Sequence, residues 1–391
     1  MRKLLIAGFA LLAACNKSVE KQAIYHPTEK EICSFGLTEF NLTKRAPVTY
    51  DEFAVRRKSN PGPTVPPATT VPPATTGSSV ILLDFNGHVV SGTSWNSSGD
   101  INCSPANLTT EAVSEIVERV TNDYSEFNII ITTDEAVYNA ANTLKRMRVV
   151  ITESWEWFGQ AGGVAFLNSF TWGNNTPCFV FSSLLSYSTK SIAEASSHEA
   201  GHTLGLRHQS SYDANGVKIS EYNYGLGAGE TGWAPIMGVG YYKNLTVWHN
   251  GPNSISSTTI QNDVTIITSL VGLKMDDYTN TTSQAVSLSS SLDGCINNSS
   301  DIDCFSVNLS APKNVIVTPF NVGIGNSGAN VDLLLKIYNG QGNLISTVDN
   351  PSTLNVTIAL DAGTYYFSVS TIANQYAGTY GMLGKYNISL N

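Results

Sequence analysis

HEAGHTLGLRH, residues 198–208, gathers three of the chain's six histidines, with an acid beside the first and glycines among them. On an α-helix His198 and His202 are four residues apart and lie on one face, so both imidazoles can reach a single ion. Neutral ring nitrogens of this kind suit zinc. Glu199, one residue further round, can contact a water beside the ion without entering the coordination sphere. Gly205 is free to adopt a positive φ, end the helix and swing the chain back, which delivers His208 to the same ion from another direction. Three nitrogen ligands leave a fourth position open, the mark of a catalytic zinc site, where a bound water's pKa falls towards about 7. Glu199 is placed to take that water's proton. Ser191 and Glu194 have the Ser-x-x-Glu spacing of a capping box and set the expected start of this helix.

Upstream, the pattern alternates between β-type and helical periods. VILLDFNG (80–87) is an apolar run ended by Asn-Gly, and TTEAVSEIVERVTNDY (109–124) repeats Val113, Ile116, Val117 and Val120 at helical spacing. FNIIITTD (127–134), MRVVITES (147–154), GGVAFLNSF (162–170) and CFVFSSLL (178–185) read as further strands. The aromatic group Trp155, Trp157 and Phe158 fits either a core or the wall of a substrate cleft. His88 and His249 are isolated and read as ordinary surface or core residues.

The extended pattern HExxHxxGxxH resembles the zinc signature of the metzincin metalloproteases. The resemblance implies zinc held by His198, His202 and His208, Glu199 as general base and then proton donor, and a methionine turn below the metal. WAPIMG (233–238) fits that turn, with Met237 as the apolar floor. The resemblance also implies that GGVAFLNSF is a sheet edge, with Gly162, Gly163, Val164 and Ala165 pairing with an extended peptide substrate, a mode that unpaired strand edges favour. Some metzincins carry a tyrosine two residues after the methionine; Val239 stands there, and Tyr241 and Tyr242 are the nearby candidates for a transition-state donor. Gln209, after the third histidine, assigns no subfamily. EICSFGL around Cys33 lacks the matrixin cysteine-switch motif, so a thiolate blocking the metal is a weak reading of Cys33 against a plain unpaired cysteine.

The chain begins MRKLLIAGFALLAAC, two cations before an apolar run too short to span a bilayer, as in an export signal. Leu12-Ala13-Ala14-Cys15 resembles a bacterial lipobox, which implies a lipid on Cys15 and anchoring to the bacterial cell envelope, with the outer membrane as one location and extracellular release as the alternative. Residues 61–77 contain the hexad VPPATT twice, a proline-rich spacer. Residues before it read as a tether or as a pro-segment covering the active site. In an exported protein cysteines pair by default, which suggests Cys295 with Cys304 and Cys103 with Cys178, and leaves Cys33 over.

From about residue 274 the texture changes to Ser, Asn, Thr and Gly with short alternating runs, VDLLLKIYN (331–339), NVTIAL (355–360) and GTYYFSVST (363–371), the pattern of an antiparallel β-sandwich. DDYTN, DIDCFSVNL and GTYGMLGKYNISL resemble the bacterial pre-peptidase C-terminal domain, a jelly-roll-like module of secreted proteases. Asp276, Asp277, Asp301 and Asp303 offer oxygen ligands for calcium, although solvated acidic turns have the same composition. A net charge of −9 leaves no basic surface for nucleic acid. The sequence therefore predicts a signal (1–14), a tether or pro-segment (15–60), a linker (61–77), an α+β metzincin-like catalytic domain (78–272) with a twisted, mostly parallel sheet, active-site helix and Met-turn, and an all-β sandwich (273–391). The expected activity is zinc-dependent hydrolysis of protein or peptide substrates, with a surface-binding, adhesive lipoprotein carrying a vestigial zinc site as the alternative.

Overall fold

Ser79–Asp84 (β2) is buried at every position, as expected of a strand covered on both faces. It pairs in parallel with Ile129–Thr132 (β5) on one side and Arg146–Thr152 (β6) on the other, and β6 pairs in parallel with Cys178–Phe181 (β8). Between β2 and β5 lies a small hairpin, His88–Val90 (β3) with Ile101–Cys103 (β4). Ala161–Phe166 (β7) runs antiparallel to β8, and Ile32–Gly36 (β1) runs antiparallel to β7. The sheet order is thus β5-β2-β6-β8-β7-β1. This is a computed structural model; it describes residues 31–36, 77–320 and 328–391, and Ile32–Asn391 forms one compact unit. The signal-like segment with Cys15 and all of the linker but Gly77 lie outside the described residues.

Helix α1 (Thr110–Asp123) begins where the Thr109 side chain accepts from the Ala112 amide, and buries Val113, Ile116 and Val120. A short helix α2 (Glu135–Ala140), capped by Asp134, follows β5; its six residues are too few to give a readable period. Helix α3 (Thr189–Thr203) carries the opening motif and is buried from Ser191 to Thr203. Its N-cap is Ser188, whose side chain accepts from the Ser191 amide, so the expected capping box at Ser191 is corrected: Glu194 instead pairs with Lys190 at 2.5 Å.

After α3 the chain makes three short two-stranded pieces, β9 (Ser211–Tyr212) with β10 (Lys218–Ser220), β11 (Trp233–Pro235) with β12 (Leu245–Val247), and β13 (Asn250–Pro252) with β14 (Ile260–Asn262). Helix α4 (Asp263–Val271) ends this half. The C-terminal part is a sandwich. One sheet holds β15 (Val286–Ser287), β17 (Ile302–Leu309), β22 (Gly363–Thr371), β19 (Leu333–Asn339) and β20 (Leu344–Val348) in that order; the other holds β16 (Ser291–Ile296), β23 (Gly384–Leu390), β18 (Lys313–Pro319) and β21 (Val356–Leu360). Alternate residues such as Val315, Val317, Leu335, Ile337, Phe367 and Val369 fill the space between them.

The expected disulfides are not formed. Cys178 faces the core under α3, where its Sγ lies 3.8 Å from the Arg148 carbonyl, whereas Cys103 packs in the separate aromatic cluster around Trp95. Cys295 and Cys304 sit on strands of opposite sheets; Cys295 Sγ lies 3.6 Å from Ser125 Oγ, while Cys304 is buried on β17. Closeness in sequence counts for little when two strands belong to different layers.

Candidate metal centre

The three histidines of the motif converge. One ligand atom from each of His198, His202 and His208 lies within 4.8 Å of the others, and all three residues are buried. Helix α3 supplies the first two, and the third arrives through the turn after it. Leu204 caps the helix, and Gly205 sits at φ +100°, with its amide donating to the His202 carbonyl at 2.9 Å. A Cβ on Gly205 would approach Asn168 Oδ1 to 2.6 Å, so both the backbone conformation and the space require glycine.

Each ring is oriented from its far side. Nδ1 of His198 lies 2.8 Å from the Ile236 carbonyl, Nδ1 of His202 lies 2.6 Å from the Leu206 carbonyl, and Nδ1 of His208 lies 2.8 Å from Glu221 Oε1. Acceptors at all three Nδ1 positions place the hydrogen there and leave each Nε2 with its lone pair. Those three Nε2 atoms are buried and have no hydrogen-bond partner. Orphaned buried nitrogens are costly unless something fills the space between them, and the donor set fits zinc. Burial and the neighbouring imidazoles hold His198 and His202 well below the usual histidine pKa, in the neutral form a cation requires. Glu221, which carries no sequence signal, accepts from Lys218 Nζ at 2.8 Å on its other oxygen; burial works against its charge, but these bonds from His208 and Lys218 hold it below the usual carboxylate range.

Glu199 is fully buried, and burial raises its pKa well above the usual value. The Phe35 amide faces its carboxylate and acts in the opposite direction, yet neither oxygen closes a hydrogen bond of ordinary geometry. β7 passes so close that a Cβ on Gly163 would lie 2.6 Å from Glu199 Cγ. Beneath the helix, a Cβ on Gly201 would lie 2.6 Å from Met237 Sδ, so Met237 packs directly under the turn between His198 and His202. The Met237 carbonyl accepts the Gln209 amide at 2.7 Å, which ties this turn to the residue after His208.

The two tyrosine candidates separate. Tyr241 Oη reaches the β7 backbone, 3.2 Å from where a Gly162 Cβ would stand, whereas Tyr242 is 62% exposed. Tyr222, absent from the sequence reading, packs at a tilt against His208 with ring centroids 4.5 Å apart. Gly162, Gly163, Val164 and Ala165 lie on β7 as expected, but β7 is not the edge: β1 covers it, and the ring of Phe35 lies 4.2 Å from that of His198. Cys33, two residues away, is not among the groups whose ligand atoms converge on the site. Trp157, Phe158, Trp95 and Phe166 line a cleft of about 640 Å³ at the far end of β7. His88 lies 3.7 Å from Asp84, and His249 packs at a tilt against Trp233, both outside the converging group.

A second convergence lies in the sandwich. Carboxylate oxygens of Asp276, Asp301 and Asp303 approach within 4.8 Å of one another, without Asp277. Asp301 Oδ2 accepts from the Asn297 amide at 2.8 Å and Asp303 Oδ2 from Tyr386 Oη at 2.6 Å, while both Oδ1 atoms are buried without a partner.

Comparison with known proteins bears on this C-terminal part. Residues 301–371 match the family model of the bacterial pre-peptidase C-terminal domain, so the sandwich is a domain of that kind. Among solved structures, the chain is similar to the pre-peptidase C-terminal domain of a collagenase from Bacillus anthracis, at 14% identity and TM-score 0.20, over 30% of this chain and 98% of that one. It is also similar to CorA, a surface-associated copper-binding protein of Methylomicrobium album BG8, at 9% identity and TM-score 0.18, over 27% of this chain and 98% of that one. A third is PliG of Aeromonas hydrophila, a periplasmic inhibitor of g-type lysozyme, at 12% identity and TM-score 0.18, over 27% of this chain and 97% of that one. No curated protein matches the chain.

Proposed function

We propose that the chain is an exported zinc-dependent endopeptidase of the metzincin type. The observation that carries this reading is the convergence of His198, His202 and His208, whose three Nε2 atoms are buried without a partner, together with the buried carboxylate of Glu199 next to His198 on the same helix. These three nitrogens would hold the ion, which when bound supplies Lewis acidity. Glu199 is the proton carrier: its carboxylate accepts a proton from water and returns it to the leaving amine. A raised affinity for that proton suits the second half of the task. Gly163 lets the peptide-binding strand approach Glu199, Tyr241 stands where a developing charge on the substrate could be met by its hydroxyl, and Met237 supports the helix from below.

A module of the pre-peptidase type is consistent with an exported protease. Lipid attachment at Cys15 belongs to the same reading. Among the described residues no helix is long and apolar enough to cross a membrane. We also read Asp276, Asp301 and Asp303 as a calcium site in the sandwich, supported by the two buried, partnerless Oδ1 atoms.

The test compares peptide cleavage and zinc content of residues 16–391, without the lipidated Cys15, with those of Glu199→Ala, each also in a Phe35→Ala background. Equal zinc with cleavage reduced by about 10²–10⁴-fold in Glu199→Ala is the expected outcome. Equal zinc with cleavage in none of the four proteins would favour a binding role for the surface module.

A further inference from the structure

The partner strand on the open side of β7 comes from the chain itself. Ile32 stands opposite Phe166, Cys33 opposite Ala165, Ser34 opposite Val164 and Phe35 opposite Gly163, all antiparallel. This is how an extended peptide adds to a sheet edge, with backbone bonds supplying affinity and alternate side chains entering pockets. The fit goes beyond sheet extension. Phe35 is 1% exposed; its ring lies 4.2 Å from His198 and meets Tyr222 and Tyr241 edge-on at 5.6 and 5.0 Å. Tyr222 Oη donates to the Ser34 carbonyl at 2.7 Å, and the Phe35 amide faces Glu199. The strand's backbone and its aromatic side chain therefore contact His198, Tyr222 and Tyr241 together, with the Phe35 amide turned towards Glu199. At the other end Ile32, 47% exposed, joins Trp95, Trp157, Phe158 and Phe166 in lining the aromatic cleft. Residues 37–78, which include the proline-rich spacer, connect β1 to β2 in the sequence, so β1 meets the site as a covalently linked segment at a high effective concentration.

Resting on the protease reading, we propose that Ile32–Gly36 is a built-in pseudosubstrate. It is a displaceable strand that fills the peptide-binding edge, closes the site in cis, and displays the preference of that edge: a large aromatic side chain beside His198, and an aliphatic one three positions earlier at the aromatic cleft.

The experiment uses zinc-loaded residues 16–391 as the parent, Phe35→Ala and Phe35→Asp. Phe35→Asp is expected to cleave a mixed peptide library at least tenfold faster than the parent, with Phe35→Ala between them. The synthetic peptide EICSFGL, residues 31–37, added in trans returns the rate towards that of the parent. Hydrogen exchange of the β7 amides gives a readout independent of hydrolysis: slow in the parent, faster in Phe35→Asp, and slowed again by the peptide. Equal cleavage by an active parent and an active Phe35→Asp overturns the proposal, as does β7 exchange that neither substitution nor peptide alters. If no form cleaves while β7 exchange responds as expected, the hydrolytic reading falls and the displaceable strand stands. Should Phe35→Asp lose its near-UV circular dichroism, a site-specific protease sequence placed within residues 61–77 is cut instead, and the severed protein is judged by the same two readouts.

Discussion

Glu221 shows how a residue without any motif can matter as much as one within it. It orients His208 through Nδ1, and partners of this kind typically contribute about 10–100-fold to metal affinity. Glu221→Gln is therefore expected to weaken zinc binding by about that factor, measured by competition with a chelator, with the fold intact. Gly163 is a second case: its missing Cβ leaves room for Glu199 Cγ, so Gly163→Ala should lose most cleavage while keeping zinc. The histidines and Glu199 were legible because a helix fixes the directions of residues one and four apart from local geometry alone. Glu221, Tyr222 and the choice of Tyr241 over Tyr242 were not, since each depends on how a loop of no regular period folds back over the helix.

At the scale of elements, the turn after α3 decides whether the third histidine reaches the other two. Gly205 at φ +100° gives any side chain a backbone penalty of about 1–2 kcal/mol, and the close Asn168 adds to it. Gly205→Ala is expected to lower stability by at least that amount in urea denaturation and to reduce zinc affinity, because His208 moves with the turn. The strands and α1 followed their sequence periods closely, but α2 was too short to read and the capping of α3 passed from Ser191 to Ser188, three residues earlier. The cysteines failed as guides for the same reason as the loops: pairing is a property of layers in space. Cys103, Cys178, Cys295 and Cys304 are expected to alkylate in the denatured, unreduced chain, which mass spectrometry of the peptides reads directly.

Across the whole molecule, the sandwich is wired to the motif helix. Asn330 donates to Asp123 Oδ1 at 2.8 Å and to the Thr246 carbonyl at 2.7 Å, and Asp123 in turn accepts from Ser197, the residue before His198. Asn330→Ala strips a buried network and should cost about 1–3 kcal/mol; a single, shifted thermal transition is expected, because one core leans on the other. Asp263, at the start of α4, is buried, and burial raises its carboxyl to about 7 despite opposing bonds from the His249 amide, Gln261 and Gln209. The folded state thus keeps a proton that the unfolded chain releases near pH 4, so this contribution is greatest in acid and is lost as pH rises from about 4 to about 7. Asp263→Asn is expected to flatten the thermal-stability profile over that window. Calcium should raise the melting temperature of the parent at neutral pH and leave that of Asp303→Asn unmoved, as read by calorimetry with and without chelator.

The sequence by itself determined the chemistry of the motif: which side chains share a helix face, where a glycine breaks that helix, and which run of alternating residues makes a sandwich, all consequences of the fixed periods of helix and strand. Only the tertiary structure decided what occupies the far side of β7. A pairing between residues 32–36 and 161–166 leaves no trace in any local window, because the free energy that selects it comes from the His198, Tyr222 and Tyr241 rings brought around Phe35 by the rest of the fold.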